Sequence, residues 1–175
     1  RTPASTAAAA TDAPDRAGGP VEPAATATAM AGSGTAADPY RITTAADLQA
    51  MAADRDAHYM LAGDVNAAET AGWNDGAGFA PVGNDTAPFA GSLDGDGHVV
   101  AGLTVDRPGT NGVGLFGAVE RRGDVRDLRL ENVRMAGRSA VGGLAGTSDG
   151  AASRVVVTGS VEGTLCRGNK ITYRL

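Results

Sequence analysis

Two stretches decide the fold: residues 113–117 read Val113-Gly114-Leu115-Phe116-Gly117, and residues 141–146 read Val141-Gly142-Gly143-Leu144-Ala145-Gly146. They share the core Gly-Leu-x-Gly, in which Gly114, Leu115 and Gly117 return 29 positions later as Gly143, Leu144 and Gly146. A period between about 20 and 50 residues is typical of stacked units, because one such unit cannot bury its apolar face alone. The two copies therefore predict a repeat protein.

The same features follow each copy of the motif. They are a polar turn (residues 120–124, then 148–151), an alternating strand (Leu128 and Leu130, then Val155 and Val157) and a closing glycine (Gly137, then Gly163). Alternation with period two, also present at Leu103 and Val105, places one face of a strand inward and the other in solvent. Short strands, small corner residues and no helical period within the unit favour an all-β parallel β-helix over a helical solenoid.

A different pattern precedes the repeats. Residues 39–42 read as a short strand, and Thr43 or Thr44 is placed to cap a helix running through Asp47, Leu48, Met51 and Ala52. His58–Leu61 returns to a strand pattern, and Gly63-Asp64 predicts the turn after it. We expect a short helix at the N-terminal end of the stack.

The Gly-Leu-x-Gly repeats resemble the GLUG motif of secreted bacterial and archaeal surface proteins. The resemblance covers about residues 32–163 and is most specific from Phe89 to Leu103, where the sequence is similar to the first full coil of that family. Residues 32–48 are similar to the segment that often precedes such coils. The resemblance implies a right-handed parallel β-helix and an extracellular or cell-surface location. Related domains occur in adhesins, autotransporter passengers and non-catalytic regions of immunoglobulin-A peptidases, and no catalytic residues are implied.

The chain divides into three predicted segments. Residues 1–35 are rich in Ala, Thr and Pro without an apolar period, which predicts a disordered linker. Residues 36–163 form the predicted solenoid, with the cap at 36–66 and the coils at 79–163. Residues 164–175 depart from the pattern and hold the chain's only Cys and only Lys, Cys166 and Lys170. A truncated or frame-shifted end is our hypothesis for this tail.

Composition limits the function classes. The net charge of -5 and the pI near 4.9 argue against a nucleic-acid partner. No apolar run approaches the ~18 residues of a membrane span. One cysteine allows no internal disulfide and no cysteine-based zinc cluster. The sequence shows neither an initiator Met nor a signal-peptide pattern, so we expect it to be processed or part of a longer polypeptide.

The segment Asp94-Gly95-Asp96-Gly97 has three interpretations. Two consecutive Asp-Gly pairs predict a tight turn, because glycine adopts positive φ and Asp caps its own backbone. The two carboxylates are also candidate calcium ligands, although an EF-hand loop would not carry His98 and Val105 at its later positions. Polysaccharide cleavage by the two carboxylates is the third interpretation, with His98 and Arg107 as the only nearby residues that could assist the reaction. We predict the turn and no cofactor, with calcium as the alternative.

Other motifs favour structure over chemistry. Residues 112–117 satisfy G-x-G-x-x-G, but Arg121-Arg122-Gly123 interrupts any following helix, so dinucleotide binding is rejected. His58 and His98 lack a third zinc ligand. Three aromatic residues are predicted to plug an end of the solenoid or cover a loop, with sugar stacking as the alternative: Trp73, Phe79 and Phe89.

These observations predict a non-catalytic structural and adhesive module of an extracellular protein. Loops such as Arg121-Arg122 and residues 147–149 would contact a host-cell, matrix or glycan ligand. The alternatives are a carbohydrate-active β-helix of the polysaccharide lyase or hydrolase type, and an accessory region of a secreted peptidase. Since only about three coils are expected, we predict marginal stability or association at an open C-terminal end.

Overall fold

The computed structural model describes residues 30–163 and, as backbone, residues 166–174. The predicted linker over residues 1–29, and residues 164, 165 and 175 of the predicted tail, lie outside this range. The described chain is mainly β, with one α-helix, α1 (Ala45–Ala50), and two 3-10 segments, Met51–Ala53 and Ala68–Gly72, followed by a third at Asn74–Gly76. The strands are β1 (Tyr40–Ile42), β2 (His58–Leu61), β3 (Val65–Asn66), β4 (Ser92–Asp94), β5 (Val99–Ala101), β6 (Thr104–Asp106), β7 (Asn111–Val113), β8 (Phe116–Val119), β9 (Asp124–Arg126), β10 (Arg129–Gly137), β11 (Ser139–Val141), β12 (Ala145–Ser148), β13 (Ala151–Ser153), β14 (Val156–Gly163) and β15 (Cys166–Arg174).

Nearly all strand pairs are parallel. The first sheet has the order β1-β2-β4-β9-β13, and each neighbouring pair in it is parallel. The second sheet has the order β15-β14-β10-β5-β3, and β6 also pairs with β10. Two further parallel pairs join β7 to β11 and β8 to β12. Parallel neighbours require a long connection, so the chain must travel through other strands before it returns to the same sheet.

The chain returns to the first sheet about every 30 residues. Side chains that bond across neighbouring strands of this sheet are 34 residues apart for His58 and Ser92 and 32 for Asp94 and Arg126. The next contact, between Asp127 and Arg154 just beyond β9 and β13, spans 27 residues. We call each return of the chain a pass. The fold is therefore mainly β, with parallel strands contributed by successive passes.

The core lies between these sheets and is built as columns of like residues. In the second sheet, Val65, Val100, Leu130 and Val157 are aligned in register on four neighbouring strands, and all four are buried. The alternation predicted from sequence is confirmed at the six positions named for it, which are all buried: Leu103, Val105, Leu128, Leu130, Val155 and Val157. In this sheet, the inward face of β3, β5, β10 and β14 therefore supplies the core.

The two Gly-Leu-x-Gly copies lie side by side on neighbouring passes. The Phe116 N–H donates to the carbonyl of Leu144 at 2.9 Å, and the Gly142 N–H donates to the carbonyl of Val113 at 2.8 Å. Val113 aligns with Val141, but Phe116 aligns with Ala145, so the second copy holds one extra residue. A Cβ on Gly114 would lie 2.8 Å from the Gly142 carbonyl oxygen. Backbones approach closely at this corner because the residue has no side chain.

The N-terminal end carries the expected helix. Of the two predicted caps, Thr44 is the N-cap of α1: its hydroxyl accepts from the Asp47 N–H at 3.1 Å, and the Asp47 carboxylate accepts from the Thr44 N–H at 3.0 Å. This reciprocal pair satisfies two backbone donors that a helix start leaves free. Leu48 and Met51 are fully buried against the core. No helix in the described residues is long and apolar enough to cross a membrane.

The stack begins earlier than the sequence predicts. β2 and β3 fall within the predicted cap, yet they pair with β4 and β5 as a full pass does. That pass has no Gly-Leu-x-Gly motif. Between β3 and β4 the chain instead forms 3-10 segments and isolated bridges at Val82 and Phe89. Residues 30–35, assigned to the linker from sequence, also contact the stack: the Ala31 carbonyl accepts from the Arg41 N–H at 2.7 Å.

The predicted tail adds one strand. β15 pairs antiparallel with β14, in contrast to the parallel pairs elsewhere in the sheets. This pairing covers the free edge of β14, which the sequence had left open. Within the described residues, β11, β12 and β13 keep a strand partner on one side only.

Candidate functional site

The outward face of the first sheet carries aligned polar side chains. His58, Ser92 and Asp124 occupy equivalent positions on β2, β4 and β9. Two residues later, Asp94 and Arg126 are aligned in the same way. The residues between them, Leu93 and Val125, are buried in the core. The two-residue period of the strands thus presents polar groups from three passes on one surface.

These side chains line a groove of about 520 Å³. We call it the polar groove, and its lining residues are Ala36, Ala37, Pro39, Arg41, Asp56, His58, Tyr59, Met60, Ala90, Gly91, Ser92, Asp94, Arg122, Asp124 and Arg126. A volume of this size lies within the range of about 300–1,000 Å³ that is usual for small-molecule sites.

The groove exists because the middle pass has short side chains. Ala90 precedes Ser92 by two residues, as Asp56 precedes His58 and Arg122 precedes Asp124 on the flanking passes. Asp56 and Arg122 reach across it, with a carboxylate oxygen and a guanidinium nitrogen 3.9 Å apart. A Cβ on Gly91 would lie against the carbonyl oxygen of Ala57, so no larger residue fits there without a shift of the backbone. Small residues thus form the floor and charged residues the rim.

Hydrogen bonds between passes hold the polar side chains in place. His58 Nδ1 and Ser92 Oγ lie 2.7 Å apart. Arg126 donates from Nε to Oδ2 of Asp94 at 2.9 Å, and its Nη2 lies 2.9 Å from the same oxygen as part of the ion pair. Its Nη1 lies 3.7 Å from a carboxylate oxygen of Asp124. The Asp94 carboxylate raises the pKa of the Arg126 guanidinium, chiefly through this hydrogen bond. Such side chains are pre-organised, so a ligand would lose little entropy in ordering them.

Among the described residues, two nitrogen-bearing side chains on β1 and β2 remain available for hydrogen bonding in the groove. Within the described residues, the exposed guanidinium of Arg41 has no hydrogen bond or ion pair, and neither does Nε2 of His58. Both groups are donors when charged, and Arg is always charged at neutral pH. Among the described residues, the groove therefore combines an unpaired cation on β1 with acceptors on β4 and β9.

The arrangement does not match a serine nucleophile site. In a catalytic triad the imidazole lies between the hydroxyl and the carboxylate, so that it accepts a proton from one and is oriented by the other. Here Ser92 stands between His58 and Asp124 in the column. The histidine therefore bonds to Ser92 without a carboxylate behind it from that column.

The segment Asp94–Gly97 forms the predicted turn. Asp96 and Gly97 have φ of 49° and 80°, and the His98 N–H donates to the Gly95 carbonyl at 2.8 Å. Oδ1 of Asp94 accepts from the Asp96 N–H at 2.9 Å. No three His, Cys, Asp or Glu side chains gather in the described part of the chain, and Asp94 already bonds Arg126. Asp96 does not line the polar groove.

The other sequence candidates lie apart from each other. His98 Nδ1 lies 3.2 Å from a carboxylate oxygen of Asp64, and the Arg107 Nε donates to the Phe79 carbonyl at 3.4 Å. Phe79 and Phe89 are fully buried, so neither presents a ring to a sugar. Of the predicted contact loops, only Arg122 reaches the groove.

Gly143 and Leu144 of the second motif copy border a second cavity, of about 530 Å³, at the C-terminal end of the stack. Its lining is largely apolar and consists of Val141, Gly142, Gly143, Leu144, Ala145, Ser148, Gly150, Ala152 and Val157. This cavity lies against the last pass of the chain, where Val141, Leu144 and Ala152 are only partly buried. The polar groove, in contrast, contains none of the repeat-motif residues.

Sequence reasoning missed Arg41, Ser92 and Arg126 as site residues. The signal was present as polar residues alternating with apolar ones in each short strand. Because the spacing between passes changes from 34 to 32 residues, a fixed period does not align these positions. The register of the paired strands aligns them.

No family model matches the sequence. The chain is 43% identical over 140 residues to halomucin from Haloquadratum walsbyi, a match that covers 75% of this chain and 2% of halomucin. It is 33% identical over 132 residues to a protein of Evansella cellulosilytica named as a Gly-rich membrane protein, covering 72% of this chain and 15% of that relative. The chain thus corresponds to a small part of each of these proteins.

One solved structure, from Bacteroides ovatus and named as an immunoglobulin A1 protease, is similar with a TM-score of 0.53. The match covers 73% of this chain and 40% of that one at 23% identity. A likeness at this level concerns the fold alone. The two relatives, halomucin and the Gly-rich membrane protein, are consistent with a region of a surface or secreted protein.

Proposed function

We propose that this chain is a non-catalytic structural and adhesive segment of a secreted or cell-surface protein, built as a right-handed parallel β-helix of the GLUG type. The observation that carries the proposal is the continuous parallel register of the first sheet, where one strand from each pass pairs with the next from β1 to β13. Stacked passes give a stiff element, because each pass is bonded along its length to its neighbours.

The two ends of the stack support a role within a longer polypeptide. The N-terminal end is covered by α1, which buries Leu48 and Met51. At the other end, Val141, Leu144 and Ala152 are partly exposed, and β13 pairs on one side only among the described residues. A further pass would cover both the apolar residues and the free strand edges.

The adhesive half of the proposal is supported by the polar groove. It presents pre-organised side chains from β2, β4 and β9, with Arg41 of β1 beside them, on a surface that the core does not need. Substitutions there can change the ligand without changing the stack, which is how binding surfaces on rigid scaffolds are tuned.

One observation favours a second candidate, a carbohydrate-active enzyme. Ser92 and His58 are hydrogen-bonded in the groove, and Asp94 lines the same groove. The position of Ser92 between His58 and Asp124 is the argument against a triad. We therefore rank this candidate second.

The test uses the full chain coupled to beads and passed over glycan-coated and matrix-coated surfaces. We expect retention by the folded chain and its loss after thermal unfolding, monitored by circular dichroism as a cooperative loss of β signal. In parallel, the chain is incubated with uronate and neutral polysaccharides, with and without calcium. Release of reducing ends would overturn the non-catalytic assignment, and equal retention of folded and unfolded chain would overturn the adhesive one.

A further inference from the structure

Among the described residues, some charged side chains of the polar groove have an ion-pair partner and others do not. Asp94 is held by Arg126, and Arg122 lies between Glu120 and Asp56. Arg41, at the other side of the groove on β1, has no ion pair with any described residue. As far as the described residues go, the groove therefore offers an uncompensated positive charge at Arg41, beside the unpaired Nε2 of His58 on the neighbouring strand.

Hydrogen-bond acceptors occupy the opposite side. Asp124 is a carboxylate on β9, and its side chain is 37% exposed. Ser92 and Asp94 on β4 add a hydroxyl and a second carboxylate between the two sides. From β1 to β9 there are three strand spacings, or about 14 Å at about 4.8 Å each. That length accommodates an elongated ligand with an anionic group at one end and hydroxyl groups along the rest.

Such a ligand is a sugar chain that carries a negative charge. Vicinal hydroxyls both donate and accept, so they match side chains such as Asp94 and Arg126 that alternate acceptors with donors. A polyphosphate matches poorly, because Asp56, Asp94 and Asp124 would repel it along the groove. An apolar ligand would leave these charged groups desolvated without partners.

We propose that the polar groove binds an anionic sugar unit of a glycan, with its carboxylate or sulfate at Arg41 and His58 and its hydroxyls at Ser92, Asp94 and Asp124. This inference rests on the proposed adhesive function and names its ligand class. Uronate and sulfated sugars share the required chemistry, and the experiment separates them.

The experiment measures calorimetric binding of three probes to the full chain: a cello-oligosaccharide of four units with a single uronate at one end, cellotetraose with a single sulfate at one end, and neutral cellotetraose. Arg41→Ala is compared with Arg121→Ala, which removes an arginine that does not line the groove. Loss of a charge-assisted hydrogen bond predicts about a tenfold or greater fall in affinity for the anionic probe in R41A. R121A should bind as the unsubstituted chain does, and added salt should weaken binding of the unsubstituted chain.

The two anionic probes identify the source of the charge, since a preference for either one supports the proposal and names the anion. Equal affinity for cellotetraose, equal affinities of R41A and R121A, or no binding to any probe would overturn it. A second variant, Ala90→Leu, fills the floor of the groove and should abolish binding with an unchanged β spectrum. If beads that carry R41A adhere as well as the unsubstituted chain, the groove assignment fails while the adhesive function stands.

Discussion

The ring centroids of Phe89 and Phe116 lie 4.6 Å apart, with an angle of 34° between the ring planes, although the two residues belong to successive passes of the chain. Tyr59 continues the row at 6.4 Å from Phe89, and Tyr40 lies 5.5 Å beyond Tyr59. Both phenylalanines are fully buried. The row joins neighbouring passes through side chains in addition to the backbone ladders, and each such aromatic pair is worth about 0.5–1.5 kcal/mol beyond its buried area.

We expect Phe89→Ala to lower the free energy of unfolding by about 3–5 kcal/mol, because it leaves a cavity between two passes. The measurement is urea denaturation of the full chain, followed by circular dichroism. Trp73→Ala is the control, since Trp73 only packs on the outside of the core and should lose less. A double-mutant cycle with Phe116→Ala should show a coupling of about 0.5–1.5 kcal/mol, and additive losses would contradict the aromatic contact.

The motif glycines carry a second prediction. A Cβ on Gly117 would lie against the carbonyl oxygen of Gly83 on the preceding pass, whereas a Cβ on Gly109 would meet nothing within 4 Å. Gly117→Ala should therefore cost about 1–3 kcal/mol through forced separation of the backbones. Gly109→Ala should stay within about 0.5 kcal/mol of the unsubstituted chain. Similar losses for both variants would mean that the corner does not need close backbone approach.

More of the stacked strands than of the polar groove could be predicted from the sequence. The burial of Leu128, Leu130 and Val157 follows from alternation, which is local and does not depend on the partner strand. Phe89 was expected at an end or under a loop, yet it lies inside the stack, because Phe89 and Phe116 are brought together only by the register between passes. The polar groove depends on the same register, so residues such as Arg41 and Asp124 show no relation in the linear sequence.

The capping box of α1 gives a third prediction. Thr44→Ala removes the hydroxyl that accepts from the Asp47 N–H, which should cost about 1 kcal/mol of stability. Thr44→Ser keeps the oxygen and should recover most of the loss. Thermal melts of the three chains at one pH make the comparison. If the serine variant melts as low as the alanine variant, the hydroxyl has no role as a cap and the methyl group carries the effect.

The ion pair between Asp127 and Arg154 predicts a change of stability with pH. Arg154 donates to both carboxylate oxygens of Asp127, with Nη2 at 2.8 Å from Oδ2, and this hydrogen bonding lowers the pKa of Asp127. Because the pKa is lower in the folded chain, the pair stabilises the fold above the unfolded-state pKa of Asp, near 3.9. That contribution is lost as the pH falls through the lower, folded-state pKa.

Asp127→Asn should therefore melt lower than the unsubstituted chain at pH ~7, and the gap should narrow as the pH falls below ~3.9. Asn is the suitable replacement because residue 127 has a φ of 51°, a left-handed conformation that Asn tolerates. Arg154→Gln removes the partner and should reproduce the same pH profile, and the double variant should add nothing further. A constant gap between D127N and the unsubstituted chain at every pH would show that the ion pair does not cause the difference.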